Sequence, residues 1–359
     1  MATRQWLYGI TLSLSPLAFI SLSPFIGHLS DKFGRKSVIG ACLIASLVGF
    51  LLPIIGIYCK RVSLIMIGRF IAGAGTTSQP VAQAAITDFS TGNKRAFNLS
   101  LIGLSMTLAM VLGPLSGGTL SDPHIISWFN ATTPYWAGTL LATVNLLLLY
   151  TGFHDTHVVI TTASTKPKTL RHLFHPAIVG LLIVFLMMQL TWSAFYQSSF
   201  IFLGSQYHFS TNTISEFAAV SGLWMCLGLT IVFRYWLTVH NVTQIAAISI
   251  AIVLLGFIGL FFFNHQQHIW YIVAPIALFV GTAYPALLQL ISQHTPADHQ
   301  GWMLGVASTV LGLAWMVTGL FSARIVAHSM TLLISLCFSF LLIAIITIKL
   351  IDTQHDSVA

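Results

Sequence analysis

Long runs of apolar residues, separated by short polar stretches, make up most of the chain. Each run is at least 20 residues long, about the length that an α-helix needs to cross the hydrocarbon core of a bilayer. A transmembrane β-barrel would instead show weaker segments of about 10 alternating residues. The pattern therefore predicts eleven membrane-spanning helices, over residues 6–27, 38–58, 63–86, 98–120, 134–153, 176–201, 214–234, 243–263, 269–290, 302–323 and 330–350.

The composition agrees with a lipid environment. Hydrophobic residues account for 56% of the 359 residues and charged residues for 6%, and the mean hydropathy is +0.87. Soluble domains carry about 25% charged residues, so this composition excludes a soluble globular enzyme, a disordered chain and a coiled coil. We therefore predict an all-α polytopic membrane protein.

The longest polar stretch, residues 154–175, separates the fifth run from the sixth. It predicts a cytoplasmic linker between an N-terminal bundle (1–153) and a C-terminal bundle (176–350), with a tail at 351–359. Placing the 28–37 loop in the cytoplasm puts ten Lys and Arg residues on the cytoplasmic side and four on the other. This bias follows the positive-inside rule and predicts a cytoplasmic C-terminus, with Met1 on the opposite side.

The loop between the first two runs carries the most distinctive motif. It begins at Gly27 and continues His-Leu-Ser-Asp-Lys-Phe-Gly-Arg-Lys to Lys36. Gly34 allows a tight turn, and Asp31 and Arg35 can join helix ends by an ion pair. A plain basic loop is the alternative, but the ordered pattern is more specific. It resembles the signature loop of the major facilitator superfamily, which joins that family's second and third helices.

Other features between residues 27 and 118 strengthen the resemblance. Arg69 precedes an Ala-Gly-Ala-Gly sequence, as in the family's fourth-helix motif, and Asp88 stands where drug/proton antiporters carry an acid. The fourth run contains a sequence similar to the family's fifth-helix antiporter motif, formed by Gly113, Pro114, Gly117 and Gly118.

The resemblance implies a major facilitator fold of two six-helix bundles and transport by alternating access. It implies a conformational switch formed by Gly27, Asp31, Gly34, Arg35, Lys36 and Asp88; a helix cap with a surface ion pair is the alternative. In this registration the first run aligns with the family's second helix. We therefore expect twelve helices minus the first, either because translation starts upstream or because the protein is naturally truncated.

The sequence is consistent with two different roles for each of two charged residues, Arg69 and Glu216. Arg69 lies within an apolar run, where a charge costs about 2.5–3.5 kcal/mol; it is assigned to the proton-coupling or transport pathway, with a snorkelling arginine as the alternative. Glu216, the only glutamate, is either an acid at a helix start, favoured by the macrodipole, or a proton-titrating group.

Polar and aromatic residues within the runs are candidates for a substrate cavity. Gln79 and Gln83 lie four apart on one helix face, with Pro80 predicted to kink that helix. Interhelical hydrogen bonding and packing are the alternative roles for such residues. The candidates are Gln79, Gln83, Gln189, Trp192, Tyr196, Tyr284 and Gln289.

These features predict a monomeric secondary transporter of the bacterial cytoplasmic (inner) membrane, with protons and a small molecule as its partners and no nucleic acid. No G-x-x-x-x-G-K-[ST] loop is present, so ATP is not the expected energy source. We expect no cofactor, metal or enzymatic activity. Proton-coupled efflux of drugs or small amphipathic metabolites is the leading hypothesis. An importer of a nutrient, metabolite or siderophore is one alternative, and a truncated, non-transporting remnant or scaffold is the other.

Overall fold

The predicted all-α fold is confirmed. The structure, a computed structural model, describes residues 2–89, 92–153, 176–263, 266, 268–295 and 300–356. The apolar runs coincide with helices of this part of the chain, and two of the runs are interrupted. The helices are α1 (Ala2–Phe33), α2 (Arg35–Tyr58), α3 (Val62–Gly75), α4 (Ser78–Phe89), α5 (Gly92–Ser121), α6 (Thr133–Gly152), α7 (Pro176–Gln206), α8 (Thr211–Leu227), α9 (Phe233–Trp236), α10 (Val242–Phe262), α11 (His268–Gln293), α12 (Gln300–His328) and α13 (Met330–Asp356).

Length and composition alone qualify eight helical segments of the described chain for crossing a membrane. The apolar part of α5, Leu108–Ser121, is shorter than a full span. The predicted linker, residues 154–175, lies outside the described residues.

The third predicted run forms two helices, α3 and α4, rather than one. Pro80 has no N–H group with which to bond the carbonyl of Thr76, four residues earlier. The hydroxyls of Thr76 and Thr77 each donate to the carbonyl oxygen three residues before them, at 2.6 Å. The helix therefore breaks at residues 76–77, ahead of the kink predicted at Pro80.

The seventh predicted run is also interrupted. A π-helical turn over Gly228–Val232 separates α8 from α9. Such turns leave one residue out of the regular hydrogen-bonding pattern and distort the helix locally. The Thr282 hydroxyl of α11 lies against this turn and donates to the carbonyl oxygen of Gly228 at 3.2 Å.

Contacts divide the chain into two compact units. The first comprises Met1–Ala109 and Ser116–Lys166, and the second Met110–Leu115 and Pro167–Ala359.

In the first unit, glycines seven residues apart allow α2 and α3 to pack closely. They are Gly49 and Gly56 on α2 and Gly68 and Gly75 on α3. A Cβ atom at Gly49 would lie 2.5 Å from the backbone nitrogen of Ala72, and one at Gly68 would lie 3.0 Å from the Gly49 carbonyl oxygen. Small residues of this kind let helices approach within a membrane.

In the second unit, α7 lies at the centre of the apolar core. Its side chains Val184, Phe185 and Met188 are at most 1% exposed. The surrounding core residues come mainly from α10, α11 and α13. Because α7 is buried on several sides, its polar residues must find partners inside the protein or remain unpaired.

Candidate functional site

The signature loop forms a one-residue break between α1 and α2. Gly34 joins these helices with a φ of 90° and a ψ of 149°, a conformation that favours glycine. Arg35 Nη1 lies 2.6 Å from Asp31 Oδ1 and donates to Ser30 Oγ at 2.5 Å. The Arg35 side chain is 11% exposed and that of Asp31 is 54% exposed. The ion pair is therefore local to the loop, and its carboxylate keeps an open face.

Lys36 connects the same loop to the C-terminal end of α6. Its Nζ donates to the carbonyl oxygens of Tyr150 at 3.2 Å and Phe153 at 2.5 Å. The ammonium also lies 5.9 Å from the centre of the Tyr150 ring, within the range of a cation–π contact. A cation at a helix C-terminus is stabilised by the exposed carbonyl groups. Lys36 thus ties the start of α2 to the residues that precede the predicted linker.

The remaining predicted switch residues are Gly27 and Asp88. A Cβ atom at Gly27 would meet nothing within 4 Å among the described residues. Asp88 lies in α4, but its side chain is outside the described part of the structure. The role of Asp88 in the switch therefore stays a prediction.

The predicted antiporter motif lies in the second half of α5. Gly118 is buried. At Gly113 and Gly117, by contrast, a Cβ atom would meet no described residue within 4 Å. Close packing within the described structure does not account for these two glycines.

Arg69 lies on α3 where that helix packs directly against α1. Its backbone carbonyl accepts a hydrogen bond from Ser15 Oγ at 2.8 Å, and its Nε donates to the Thr11 carbonyl oxygen at 3.4 Å. A Cβ atom at Gly73 would overlap the Ser15 backbone, so the two helices are in backbone contact here. The Arg69 side chain itself is half-buried.

Gln79 and Gln83 both lie on α4 and are half-buried. The Gln79 carboxamide donates to the Met106 sulfur at 3.0 Å, a weak acceptor. Its role as a cavity residue stays a prediction.

Glu216 is exposed in the second turn of α8. Asn212 Nδ2 donates to its Oε1 at 3.4 Å. The helix start itself is capped by Ser210, whose Oγ accepts from the Thr213 backbone N–H at 3.2 Å. Both roles considered for Glu216 stay predictions.

A buried stripe of polar and aromatic side chains follows α7. Gln189 is 4% exposed and Trp192 is 2% exposed. Within the described residues, the Trp192 indole N–H has no hydrogen-bond partner. The ring of Tyr196 lies with its centre 5.5 Å from that of Trp192 and 6.0 Å from that of Trp315 on α12. The structure thus brings Trp192 and Tyr196 together beside an unpaired donor.

Gln197, on the same helix, is paired instead. Its Nε2 donates to Thr318 Oγ1 at 2.8 Å and to the Trp315 carbonyl oxygen at 3.2 Å. Thr318 Oγ1 in turn lies 2.9 Å from Ser193 Oγ. These bonds join α7 to α12, so Gln197 has a structural role. The sequence does not distinguish the paired Gln197 from Gln189, because the partners of Gln197 lie more than 100 residues away along the chain.

The last two cavity candidates lie on α11. The Tyr284 ring is centred 5.8 Å from that of Phe185 on α7. Gln289 follows on the same helix and is half-buried. The structure therefore places Tyr284 against α7.

Comparison with known proteins agrees with this architecture. The chain is 26% identical over 340 residues to the class C tetracycline resistance protein of Escherichia coli, covering 90% of this chain and 80% of that protein. It is 25% identical over 340 residues to the class B protein of the same species, with the same coverage. The structure matches that of a D-xylose-proton symporter with a TM-score of 0.73 at 17% identity, over 97% of this chain and 87% of the other.

The family model of the Major Facilitator Superfamily matches residues 6–319. This match confirms the resemblance that the signature loop indicates, and it establishes an integral, multi-pass membrane protein. Members of this family are transporters, not enzymes. The chain belongs to the Major Facilitator Superfamily.

Proposed function

We propose that this protein is a proton-coupled exporter of drugs or small amphipathic metabolites, which works by alternating access between two helical bundles. Two relatives that align with 90% of the chain are named tetracycline resistance proteins. Their names are consistent with efflux. The proposal includes the bundle boundaries at residues 153 and 176, a bacterial inner-membrane location, a cytoplasmic C-terminus and a monomeric state.

The observation that supports a substrate site most directly is the stripe of Gln189, Trp192 and Tyr196. A buried donor without a partner costs about 1–3 kcal/mol, and buried polar groups in proteins are nearly always paired. The Trp192 N–H is such a donor. A bound molecule that carries a hydrogen-bond acceptor would relieve this cost, and the neighbouring rings would pack on its apolar surface. Few fixed charges on the stripe favour an amphipathic substrate.

The signature loop supports the conformational step. We assign the switch to Asp31 and Arg35, with Asp88 as the further acid that the family resemblance adds. The positive φ of Gly34 lets α1 and α2 meet with a single residue between them. If this loop holds the helix ends in one of two arrangements, the binding of protons and substrate can shift the equilibrium between them.

Transport measurements in membrane vesicles of defined orientation test this proposal. In inverted vesicles the outer side of the membrane faces the lumen. An exporter should therefore accumulate radiolabelled tetracycline or ethidium in them when the lumen is made acidic, because protons then leave the lumen in exchange for the drug. A protonophore should abolish the accumulation. Accumulation in right-side-out vesicles only would indicate an importer. No gradient-driven movement of any probe in a broad panel would contradict transport and favour a scaffold.

Trp192→Phe tests the substrate stripe, because it keeps an aromatic ring but removes the unpaired N–H together with the rest of the five-membered ring. We expect some loss of folding stability from the smaller buried side chain, and in addition weaker transport specifically of substrates that carry acceptor groups. Gln197→Ala is the matched control, since that side chain already has protein partners. We expect it to lower stability without changing substrate preference. Unchanged preference across the panel in Trp192→Phe would contradict the assignment.

A further inference from the structure

The π-helical turn Gly228–Val232 joins α8 to α9 with a second pattern of hydrogen bonds inside one continuous helix. The backbone N–H of Phe233 donates to the carbonyl oxygen of Gly228, five residues earlier, whereas an α-helix pairs groups four residues apart. The turn therefore contains one residue more than an α-helix needs. A change to α-helical hydrogen bonding would rotate the following residues by about 100° about the helix axis, the rotation per residue at 3.6 residues per turn.

Backbone contact with α11 holds the beginning of this turn in place. A Cβ atom at Gly228 would overlap the carbonyl group of Leu278, and one at Gly281 would overlap the carbonyl group of Met225. These obstacles are backbone atoms, which cannot move aside by a change of rotamer. The crossing of α8 and α11 is therefore a fixed point, and the helix moves most easily beyond it.

The distal segment, residues 233–239, follows the turn and is held by weaker contacts. Its residues keep helical hydrogen bonds among themselves. The Trp236 ring is centred 5.4 Å from that of Phe279 on α11, which is a contact between side chains and not between backbones. Tyr235 is 67% exposed. The distal segment can therefore rotate as a unit while the crossing ahead of it stays in place.

The hydroxyl of Thr282 on α11 lies between two possible acceptors. Its Oγ1 is 3.2 Å from the carbonyl oxygen of Gly228 and 3.0 Å from that of Leu278, and the residue is fully buried. A hydroxyl has a single proton, so it cannot donate fully to both oxygens. The bond to Leu278 is the ordinary one within a helix, whereas the bond to Gly228 crosses to α8 and stabilises the π-helical turn.

We propose that this turn is a hinge in the transport cycle and that Thr282 is the positioning residue that sets its state. When the hydroxyl donates to Leu278 alone, the turn changes to α-helical hydrogen bonding and the distal segment rotates against α11. A packed crossing with two hydrogen-bonded arrangements is a two-state element that ligand binding can bias. The inference goes beyond the proposed export, because it needs a two-state transport cycle but neither a direction nor a substrate.

Double electron–electron resonance measures this rotation on the purified full chain in maltoside micelles, with the native cysteines replaced by alanine. One spin label is attached at Tyr271→Cys, a 78% exposed position at the start of α11, and the second at Tyr235→Cys beyond the turn. The control pair has its second label at Leu223→Cys, ahead of the turn and 49% exposed. A rotation of about 100° displaces a side chain about 5–6 Å from the helix axis by about 8 Å.

Thr282→Val removes the hydroxyl at nearly constant volume. We expect it to shift the distance between the labels at Tyr235 and Tyr271 by several ångströms and to leave the distance between Leu223 and Tyr271 unchanged. Thr282→Ser keeps a hydroxyl and should give the wild-type distances, and Thr282→Ala repeats the test if the valine variant does not fold. Unchanged distances without the hydroxyl would overturn the proposal. Equal shifts at both label pairs would also overturn it, because α8 would then have moved as a whole.

A variant that lacks Ile231 tests the hinge from the opposite direction. Ile231 lies in the turn and is 62% exposed, so its deletion removes the extra residue without emptying the core. The helix should then be α-helical throughout, with the distal segment on its wild-type face and no need of Thr282. We expect wild-type distances in this variant and no further change when Thr282→Val is added. A shift on addition of Thr282→Val that persists without Ile231 would overturn the proposal.

The deletion also removes the second arrangement of the helix, so gradient-driven transport in vesicles should fall about tenfold or more. Full transport by the variant that lacks Ile231 would overturn the role of the hinge in the cycle. The distance measurements need no proton gradient. A wild type that moves no probe would therefore contradict the proposed export, while the label distances would still decide whether Thr282 sets the turn.

Discussion

Replacing Gly49 by alanine should destabilise the protein, because the backbone of α3 lies directly against this glycine. The added Cβ would lie 2.5 Å from the Ala72 backbone nitrogen and 2.7 Å from both its Cα and its Cβ. Carbon atoms in good contact are about 3.5–4.0 Å apart, so the helices would have to separate by about 1 Å. The obstacle is backbone, which cannot move aside by a change of rotamer.

The expected magnitude comes from two opposing terms. Forcing an extra methyl group into a well-packed site costs about 1–3 kcal/mol. Alanine is favoured over glycine inside a helix by about 1 kcal/mol, which offsets part of this cost. We therefore expect Gly49→Ala to lower the free energy of unfolding by up to about 2 kcal/mol, the difference between these two terms.

Gly305→Ala is the matched control. Gly305 also lies inside a long helix, α12, but a Cβ atom there would meet nothing within 4 Å among the described residues. Only the propensity term applies, so this variant should be more stable than the wild type by about 0.5–1 kcal/mol. The two substitutions are chemically identical and are expected to have effects of opposite sign.

Reversible unfolding in mixed micelles of maltoside and dodecyl sulfate measures both effects. Helix content, followed by circular dichroism, reports the fraction folded at each mole fraction of dodecyl sulfate. The reasoning is refuted if Gly49→Ala unfolds at the same or a higher mole fraction than the wild type. It is also refuted if Gly305→Ala is the more damaging substitution.

Two further predictions concern the switch and the polar network of α7. Asp31→Asn removes the carboxylate that pairs with Arg35, whose side chain is only 11% exposed. Because Ser30 still accepts a hydrogen bond from Arg35, the protein should still be expressed in the membrane, with a loss of about 1–3 kcal/mol in the same unfolding assay. Vesicle transport should fall at least tenfold, and wild-type transport would rule out the switch role. Thr318→Val removes the hydroxyl that accepts from the Gln197 carboxamide, at nearly constant volume, and should lower the free energy of unfolding by about 1–3 kcal/mol in the same assay. The control Thr309→Val removes an exposed hydroxyl on the same helix and should lower it much less. Equal losses of stability in the two variants would contradict a structural role for the hydrogen bonds of Gln197.

The local sequence predicts the fold class well, because each spanning helix must satisfy its own backbone and present apolar side chains to lipid. That requirement acts on every run of about 20 residues separately, so the apolar runs appear as helices without any knowledge of their neighbours. The same local logic identifies Gly34, where the chain must turn in a single residue between two helices. It also identifies the order of charges in the signature loop, and with it the family.

Local reasoning is less successful where a helix is interrupted. The sequence marks Pro80 as the place of distortion, but the break occurs at residues 76–77. Proline removes the hydrogen bond to the carbonyl of Thr76, four residues earlier, and that carbonyl accepts from the Gln79 backbone N–H instead. The hydroxyls of Thr76 and Thr77 donate to the carbonyls three residues before them, at the end of α3.

The roles of individual polar residues depend on tertiary contacts. Gln189 and Gln197 lie on the same helix and are the same residue type, yet Gln197 is paired across to α12 while Trp192, beside Gln189, keeps an unpaired donor. Likewise Gly49 is required by a backbone 23 residues away in sequence, whereas Gly305 meets no described atom. Helix periodicity tells which residues share a face, but a hydrogen bond or a steric limit needs a partner, and only the packing of distant helices supplies one.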